Sequence, residues 1–202
     1  MNREIYPSAL YTFLKFMREN SGGKRILDCG AGGHFPKISL FYANDYEVYG
    51  IEIIDEQITK ANEYAKKKGI NLNIQQGDMR SIPFESEYFD YVYSYNTIFH
   101  MSKKDIGIAI DEIYRILKNG GLCYLNLLSC DDSIYGEGEE KHPGEFSQMF
   151  GDEEVIHTFF KDDEPDNYFD KFKILYKQKR TVLINTEDYL ESMLDYIVKK
   201  DA

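Results

Sequence analysis

The segment at residues 25–35, RILDCGAGGHF, is the feature that most constrains the fold of this chain. A short apolar run reaches Asp28 and then passes into small residues that include Gly30 and Gly32. Such a sequence is typical of a buried strand followed by a loop whose backbone closely approaches a ligand. A dinucleotide-binding loop requires a third glycine where Phe35 stands, and a phosphate-binding loop requires Gly-Lys-Ser/Thr. Because neither pattern is complete, the loop is predicted to serve another ligand.

Strand-like and helix-like segments alternate along the chain as far as residue 129. The hydrophobic pattern and its punctuation predict helices over 5–20, 36–44, 55–68 and 102–118, and strands over 25–29, 47–53, 71–76, 89–95 and 122–128. This alternation is typical of a doubly wound α/β fold, in which a mostly parallel sheet carries helices on both faces. Ligands of such sheets bind at the carboxyl ends of the strands, where the glycine loop is predicted to lie.

The last third of the chain follows a different pattern. Residues 131–165 are acidic and irregular, with IHTFF at 156–160 as a short candidate strand, and they form either a lid over a binding site or a surface excursion. The spacing of Phe169, Phe172 and Leu175 predicts a helix. Residues 180–185 and 192–199 could pair as an antiparallel hairpin, although the second could instead be a terminal helix from Glu187. One domain is predicted over residues 1–202.

Composition narrows the function classes. The formal net charge of −11, from 35 acidic and 24 basic residues, argues against a nucleic-acid partner. No signal peptide and no apolar run of membrane-spanning length is visible, and three sparse cysteines are typical of reduced thiols, so a cytoplasmic protein without a membrane partner is predicted. The acidic runs lack calcium-loop spacing and no zinc-type cluster is visible, so no metal site is predicted.

Four motifs, in their order along the chain, resemble those of the class I S-adenosylmethionine-dependent methyltransferases. They are Asp28-x-Gly30-x-Gly32 after the first strand, Glu52 at the end of the second, Gly77-Asp78-Met79 after the third, and the Leu-x-x-Gly-Gly segment at 117–121 before the fifth. The resemblance covers residues 24–129. It departs at His34, which stands where the family's first motif commonly has a third glycine.

The resemblance implies a Rossmann-like, seven-stranded sheet with a C-terminal antiparallel hairpin, and S-adenosylmethionine as the cofactor. In the family, an acid at the Glu52 position binds both ribose hydroxyls, and an acid at the Asp78 position accepts from the adenine amino group. Tyr11 either contacts the methionine part of the cofactor or packs as an ordinary core residue. The implied cofactor-binding residues are Asp28, Gly30, Ala31, Gly32, Glu52, Ile53, Asp78, Met79, Tyr95, Asn96 and Tyr11.

Two residues near the end of the fourth strand are the catalytic candidates. Tyr95 stands at the carboxyl end of that strand, where the methyl-transfer site of the family opens. His100 follows shortly after, and an imidazole whose pKa lies near neutrality can act as a base or hydrogen-bonding group; alternatively, His100 packs beneath the next helix. His142 and His157 could face substrate from the insertion at 131–165, whereas His34 is interpreted as structural.

The function predicted from these residues is in-line transfer of a methyl group to a small-molecule acceptor. The Asn/Asp-Pro-Pro-Tyr/Phe motif is absent from the end of the fourth strand, which disfavours amide and base nitrogen as the acceptor atom, but the acceptor and the oligomeric state stay open. Two alternatives remain. One is a binding or regulatory protein that keeps the fold without catalysis. The other is a nicotinamide-dependent oxidoreductase, against which Phe35 counts.

Overall fold

A mostly parallel sheet forms the centre of the computed structural model, which describes residues 4–20, 22–150, 153–184 and 189–201. The strands are β1 (Arg25–Cys29), β2 (Glu47–Glu52), β3 (Ile74–Gln76), β4 (Phe89–Ser94), β5 (Leu117–Ser129), β6 (Glu139–His142), β7 (Glu145–Phe150), β8 (Glu153–Phe160), β9 (Phe172–Ile184) and β10 (Tyr189–Lys200). The helices are α1 (Ser8–Glu19), α2 (Ser39–Tyr42), α3 (Asp55–Lys68) and α4 (Lys103–Ile116), with short 3₁₀ segments at Ile98–His100 and Glu164–Tyr168.

Seven strands form the main body of the sheet, in the order β3-β2-β1-β4-β5-β10-β9. The first five are mutually parallel, β10 runs antiparallel to β5, and β9 runs antiparallel to β10. The chain reverses its winding direction between β1 and β4, so the carboxyl ends of these two strands flank a crevice. The predicted seven-stranded Rossmann-like sheet with a C-terminal hairpin is confirmed.

Helices cover both faces of the sheet. On one face, α1 buries an apolar stripe against tyrosines of β4 and β5; the stripe consists of Leu10, Phe13, Leu14 and Met17. This spacing of three and four residues puts the four side chains on one side of the helix. On the other face, α4 buries Ile106, Ile110 and Ile113 against β4 and β5. Ser102 begins α4 by accepting a 3.1 Å hydrogen bond from the amide of Asp105, as a helix cap does.

The insertion at 131–165 is more regular than its sequence indicates. Strands β6, β7 and β8 form an antiparallel meander, and β8 continues the edge of β5 by pairing Leu128–Ser129 with Phe159–Phe160. The IHTFF strand is therefore confirmed within β8, but the irregular structure expected around it is wrong. The meander is stabilised by burial of Phe146 and Phe159. Because these apolar residues are interspersed with acidic ones, the alternating pattern of a strand is hard to recognise in the sequence.

The helix predicted from Phe169, Phe172 and Leu175 is wrong. The 3₁₀ segment ends at Tyr168, and β9 begins at Phe172 and pairs with β10 over its whole length. Phe169 is buried against the ring of Tyr196, with centroids 4.9 Å apart. It therefore packs the chain against β10 just before β9 begins, and its spacing from Phe172 does not arise from a helix. The predicted antiparallel hairpin is confirmed as β9 and β10, which are longer than predicted, and the alternative terminal helix is wrong. Asn185 and Glu187 lie outside the described residues.

Within the described part of the chain, no helix is both long enough and apolar enough to cross a bilayer.

Candidate functional site

A cavity of about 350 Å³ opens at the carboxyl ends of β1, β2, β3 and β4. Six of the predicted site residues line it: Gly30, Glu52, Ile53, Asp78, Met79 and His100. Its walls also include residues that the sequence did not single out, among them Arg80, Thr97, Met101, Ser102, Asp105 and Ile156. These come from loops after β3 and β4, from the start of α4 and from the insertion, and their types carry no motif that would reveal them.

The glycine loop is tied to the end of β2. The amides of Gly30 and Ala31 both donate to the carbonyl of Ile51, at 2.9 and 3.0 Å. Gly30 has φ of +104°, and a Cβ there would stand 2.3 Å from Oγ1 of Thr97. Ala31 is buried and packs against Gly50 rather than lining the cavity. The loop is therefore a pre-formed floor whose shape depends on the absence of side chains.

Glu52 is oriented by the start of α3. Its Oε1 accepts hydrogen bonds from the amides of Ile53 and Ile54, at 2.9 and 3.0 Å. Its Oε2 faces the loop, since a Cβ on Gly32 would lie 2.7 Å from that oxygen. One oxygen thus fixes the carboxylate while the other faces the crevice, an arrangement suited to accepting from a hydroxyl group. Gly32 itself contributes space here and does not line the cavity.

Asp78 reaches the cavity but is already engaged by Arg80. Nε of Arg80 lies 3.0 Å from Oδ1, Nη2 lies 2.6 Å from Oδ2, and the Arg80 amide donates to Oδ1 at 2.8 Å. The Arg80 hydrogen bonds lower the pKa of Asp78, so the carboxylate is ionised. An adenine amino group would therefore have to share this carboxylate with Arg80.

Asp28 lies beneath the loop rather than in the cavity. Its carboxylate is 3% exposed and accepts a hydrogen bond of 2.5 Å from the hydroxyl of Tyr93. Burial raises the pKa of Asp28 to about 7, because few groups nearby replace the water that a charged carboxylate needs. The geometry gives Asp28 a supporting position below the glycine loop.

Asp28→Asn is expected to change the pH dependence of stability. Between pH ~4 and 7 the folded state retains on Asp28 a proton that the unfolded state has released, so the contribution of this group to the free energy of unfolding falls as pH rises through this window. The asparagine variant lacks this loss and should gain more than ~1 kcal/mol relative to wild type between pH 5 and pH 8. Urea unfolding at both pH values measures this, with exposed Asp170→Asn as the control. Parallel changes in all three proteins would contradict it.

His100 lines the cavity, but the expected pKa near neutrality is wrong. Although its side chain keeps access to solvent at the cavity, the protein atoms packed around it, together with the nearby imidazole of His157, lower the pKa of His100 to about 4. The two rings meet edge to face with centroids 4.8 Å apart. At neutral pH His100 is therefore an uncharged hydrogen-bonding group, and so low a pKa makes it a weak general base. His157 is buried, whereas His34 and His142 are exposed.

His100→Gln should make stability less sensitive to acid. The unfolded chain binds a proton at His100 near pH 6.5, whereas the folded protein resists binding it until about pH 4. The contribution of His100 to stability should therefore be lost as pH falls through this window, so the variant should gain stability relative to wild type. Urea midpoints at pH 7.5, 6.0 and 4.5 test this, with exposed His142→Gln as the control. Equal slopes for wild type and His100→Gln would show that the imidazole is not desolvated.

Tyr95, Asn96 and Tyr11 do not line the 350 Å³ cavity. Tyr95 is half-buried in the cluster beneath α1, and Tyr11 is 46% exposed with its ring edge-to-face against Tyr6. Asn96 has φ of +54°, and its amide donates to Oδ1 of Asn126 at 2.8 Å. These residues surround the same strand ends from the α1 side of the sheet. No group of three His, Cys, Asp or Glu side chains suited to a metal ion occurs within the described ranges.

The fold and cavity define a class of protein that holds a nucleoside-type cofactor at the carboxyl edge of an open parallel sheet. The methyltransferase domain family model matches residues 27–125. The chain belongs to the class I S-adenosylmethionine-dependent methyltransferases, and S-adenosylmethionine is the cofactor that this membership assigns. The family predicted from the ordered motifs is thereby confirmed.

Curated and solved relatives agree with this membership. A sterol 24-C-methyltransferase of Candida albicans is 34% identical over 134 residues, covering 64% of this chain and 34% of that protein. The 27-O-demethylrifamycin SV methyltransferase of Amycolatopsis mediterranei is 33% identical over 101 residues, covering 49% of this chain and 36% of that protein. The chain spans about a third of the length of these relatives. A crystal structure of an S-adenosylmethionine-dependent methyltransferase from Methanosarcina mazei superposes with a TM-score of 0.78 at 22% identity, covering 98% of this chain and 99% of that one.

Proposed function

We propose that this protein transfers a methyl group from S-adenosylmethionine to a small-molecule acceptor. The observation that carries the proposal is the pre-formed crevice, in which Glu52 presents Oε2 above the side-chain-free loop at Gly30 and Gly32. Its volume of about 350 Å³ lies at the lower end of ordinary ligand pockets and suits the adenosine part of the cofactor. The donors and apolar walls present therefore fit the cofactor.

Each proposed binding role follows from a position in the cavity. Glu52 would accept from the ribose hydroxyls, and Ile53 and Met79 would provide apolar walls for the adenine ring. The Asp78–Arg80 pair would present polar groups to the rim of that ring. Gly30 leads from the cavity toward Asn96 and Tyr95, so the methionine part would lie on the α1 side, within reach of Tyr11.

The proposed mechanism demands little acid–base chemistry from the protein. When bound, S-adenosylmethionine supplies an electrophilic methyl group on a sulfonium. The chain's own contribution is to hold donor and acceptor in line and to exclude water, which supplies much of the rate in such displacements. Neutral His100 would position a polar group by hydrogen bonding, and Tyr95 would orient the acceptor from the end of β4. No step in this scheme needs His100 to take up a proton.

Calorimetric titration of the purified protein with S-adenosylmethionine, S-adenosylhomocysteine and NAD tests the cofactor assignment. Micromolar binding of the two sulfur compounds and no binding of NAD is the expected result. An acceptor screen that follows formation of S-adenosylhomocysteine then tests transfer. Tight cofactor binding with no turnover on any acceptor would favour a non-catalytic binding protein, and NAD binding would favour the oxidoreductase.

A further inference from the structure

A second, smaller cavity lies on the α1 side of the sheet, outside the cofactor crevice. Its volume is about 40 Å³, enough for a small polar group. The first turns of α1 roof it through Ser8, Ala9 and Thr12, while its floor comes from β5, β9 and β10 through Tyr124, Arg180 and Asp195. The cavity is therefore assembled from both ends of the chain, on the face where Tyr95 also lies.

A buried charged network forms the floor of this cavity. Asp195 is 2% exposed and accepts from the Tyr124 hydroxyl at 2.7 Å and from Nε of Arg180 at 3.0 Å. Nη1 of Arg180 donates to Glu191 at 3.2 Å. Nη2 of Arg180 is buried and finds no hydrogen-bond partner among the described residues. Leaving a charged donor buried and unpaired is unfavourable, so the site is incomplete without another acceptor.

The network adjoins the predicted transfer site. Burial raises the pKa of Tyr95; the positive charge of Arg180 opposes this rise, and the carboxylates of Glu191 and Asp195 add to it. The register pairs Asp195 with Asn126, whose side chain holds the Asn96 amide at the end of β4. A molecule whose polar end entered the small cavity would therefore extend past Tyr95 toward the carboxyl ends of β4 and β5.

The charges of the network select the kind of group that can enter. One guanidinium faces two carboxylates, Asp195 and Glu191, so the cluster carries a net negative charge. A further carboxylate or phosphate would be repelled, whereas a neutral oxygen would accept from Nη2 without that penalty. A hydroxyl group could in addition donate to a carboxylate of the network.

We propose that the small cavity is the recognition site for the acceptor molecule, and that Arg180 Nη2 donates to a neutral carbonyl, alcohol or phenol oxygen at one end of it. The inference rests on the proposed methyl-transfer function, because it gives that function its class of acceptor. It assigns Arg180 a binding role and no part in the transfer step. It also explains why a buried guanidinium is kept only partly paired.

The test uses nuclear magnetic resonance of the full chain with ¹⁵N-labelled arginine. The probes are p-cresol, cyclohexanol and cyclohexanone, with benzoate as the anionic counterpart and toluene as the probe lacking oxygen. The neutral oxygen probes should shift the Arg180 side-chain resonances at millimolar concentrations, and benzoate and toluene should not. Ligand-observed saturation-transfer titration, which does not depend on the Arg180 signal, should show binding weakened at least tenfold in Arg180→Lys, which keeps the charge but lacks the Nη2 donor.

Controls separate this inference from a folding defect. Thr12→Leu fills the cavity and leaves the charged network untouched, so it should abolish probe binding with little loss of thermal stability. Arg18→Gln removes an exposed guanidinium that binds Asn44 and should change nothing. No shift of Arg180 with any neutral probe, stronger binding of benzoate, or unchanged binding in both Arg180→Lys and Thr12→Leu would overturn the proposal.

Calorimetry with S-adenosylmethionine on the same samples distinguishes a failure of the proposed acceptor site from a failure of the proposed methyl-transfer function. Cofactor binding without probe binding would overturn the acceptor site alone. Probe binding in a protein that does not bind the cofactor would remove the methyl-transfer function, and with it the meaning of the small cavity as an acceptor site. Binding of both, with cofactor affinity unchanged in Arg180→Lys and Thr12→Leu, is the expected result.

Discussion

Glu52→Gln is expected to weaken S-adenosylmethionine binding about tenfold, and Glu52→Ala about a hundredfold. A hydrogen bond to a charged group contributes about 1.5–3 kcal/mol, and each ~1.4 kcal/mol is a factor of ten in affinity. Glutamine keeps an oxygen that can accept from the amides of Ile53 and Ile54, so the start of α3 is preserved while the charge on the crevice side is lost. Alanine loses both functions.

Calorimetry on the three proteins measures this series. Glu63→Gln serves as the control, since Glu63 is exposed on α3 and away from the cavity. Thermal unfolding should show a small loss for Glu52→Ala, from the missing hydrogen bonds to the amides of Ile53 and Ile54, and almost none for Glu52→Gln. If both Glu52 variants bound the cofactor like wild type, the placement of the ribose at the end of β2 would be wrong.

Gly30→Ala should cost both stability and cofactor binding. A non-glycine residue at φ of +104° is strained by about 1–3 kcal/mol, and its Cβ would press on Thr97, with contacts of 2.3 to 2.8 Å, for a further ~1–3 kcal/mol. The sum, about 2–6 kcal/mol, is a large share of the total stability of a domain. Relieving the clash must move the loop or the segment after β4, and both line the cavity.

Gly69→Ala measures the cost of a Cβ at positive φ without a steric contact. Gly69 has φ of +67°, and its added Cβ would meet no atom within 4 Å, so the variant should lose only the strain component. Chemical unfolding of both variants gives a difference that combines the Thr97 contact with the less favourable φ of Gly30, which lies outside the left-handed region that Gly69 occupies. Calorimetry shows whether binding is lost with it. Equal destabilisation at the two positions would mean that the glycine loop can shift without cost and that contact with Thr97 does not fix its shape.

The local patterns of the chain predicted most of the sheet but misjudged its edges. Alternation of strands with amphipathic helices up to residue 129 identified the parallel core, because elements such as α1, β4 and α4 carry a periodic or continuous apolar face. The meander β6–β8 was missed, since its acidic residues conceal the inward-facing Phe146 and Phe159. The start of β9 was mistaken for a helix because Phe169 and Phe172 pack on Tyr196 and Tyr114, contacts that are distant in sequence.

The residues of the candidate site also fall into those that the sequence predicted and those that it did not. Sequence order located Gly30, Glu52 and Asp78 at strand ends, and the structure brings all three to one cavity. It could not show that Asp28 lies beneath the loop, bound to Tyr93, or that Arg80 engages Asp78. Nor could it show that His157 of the insertion lowers the pKa of His100. Each of these depends on which side chain a neighbouring element places nearby.

By itself, then, the sequence determined the winding of the sheet, the glycine loop and the acid that faces it, because these follow from local periodicity and from spacing between adjacent elements. The tertiary structure alone decided the protonation of Asp28 and His100 and the small cavity over Arg180. The reason is physical. Desolvation and charge coupling depend on distances between segments such as α1, β5 and β10, which fold together from opposite ends of the chain.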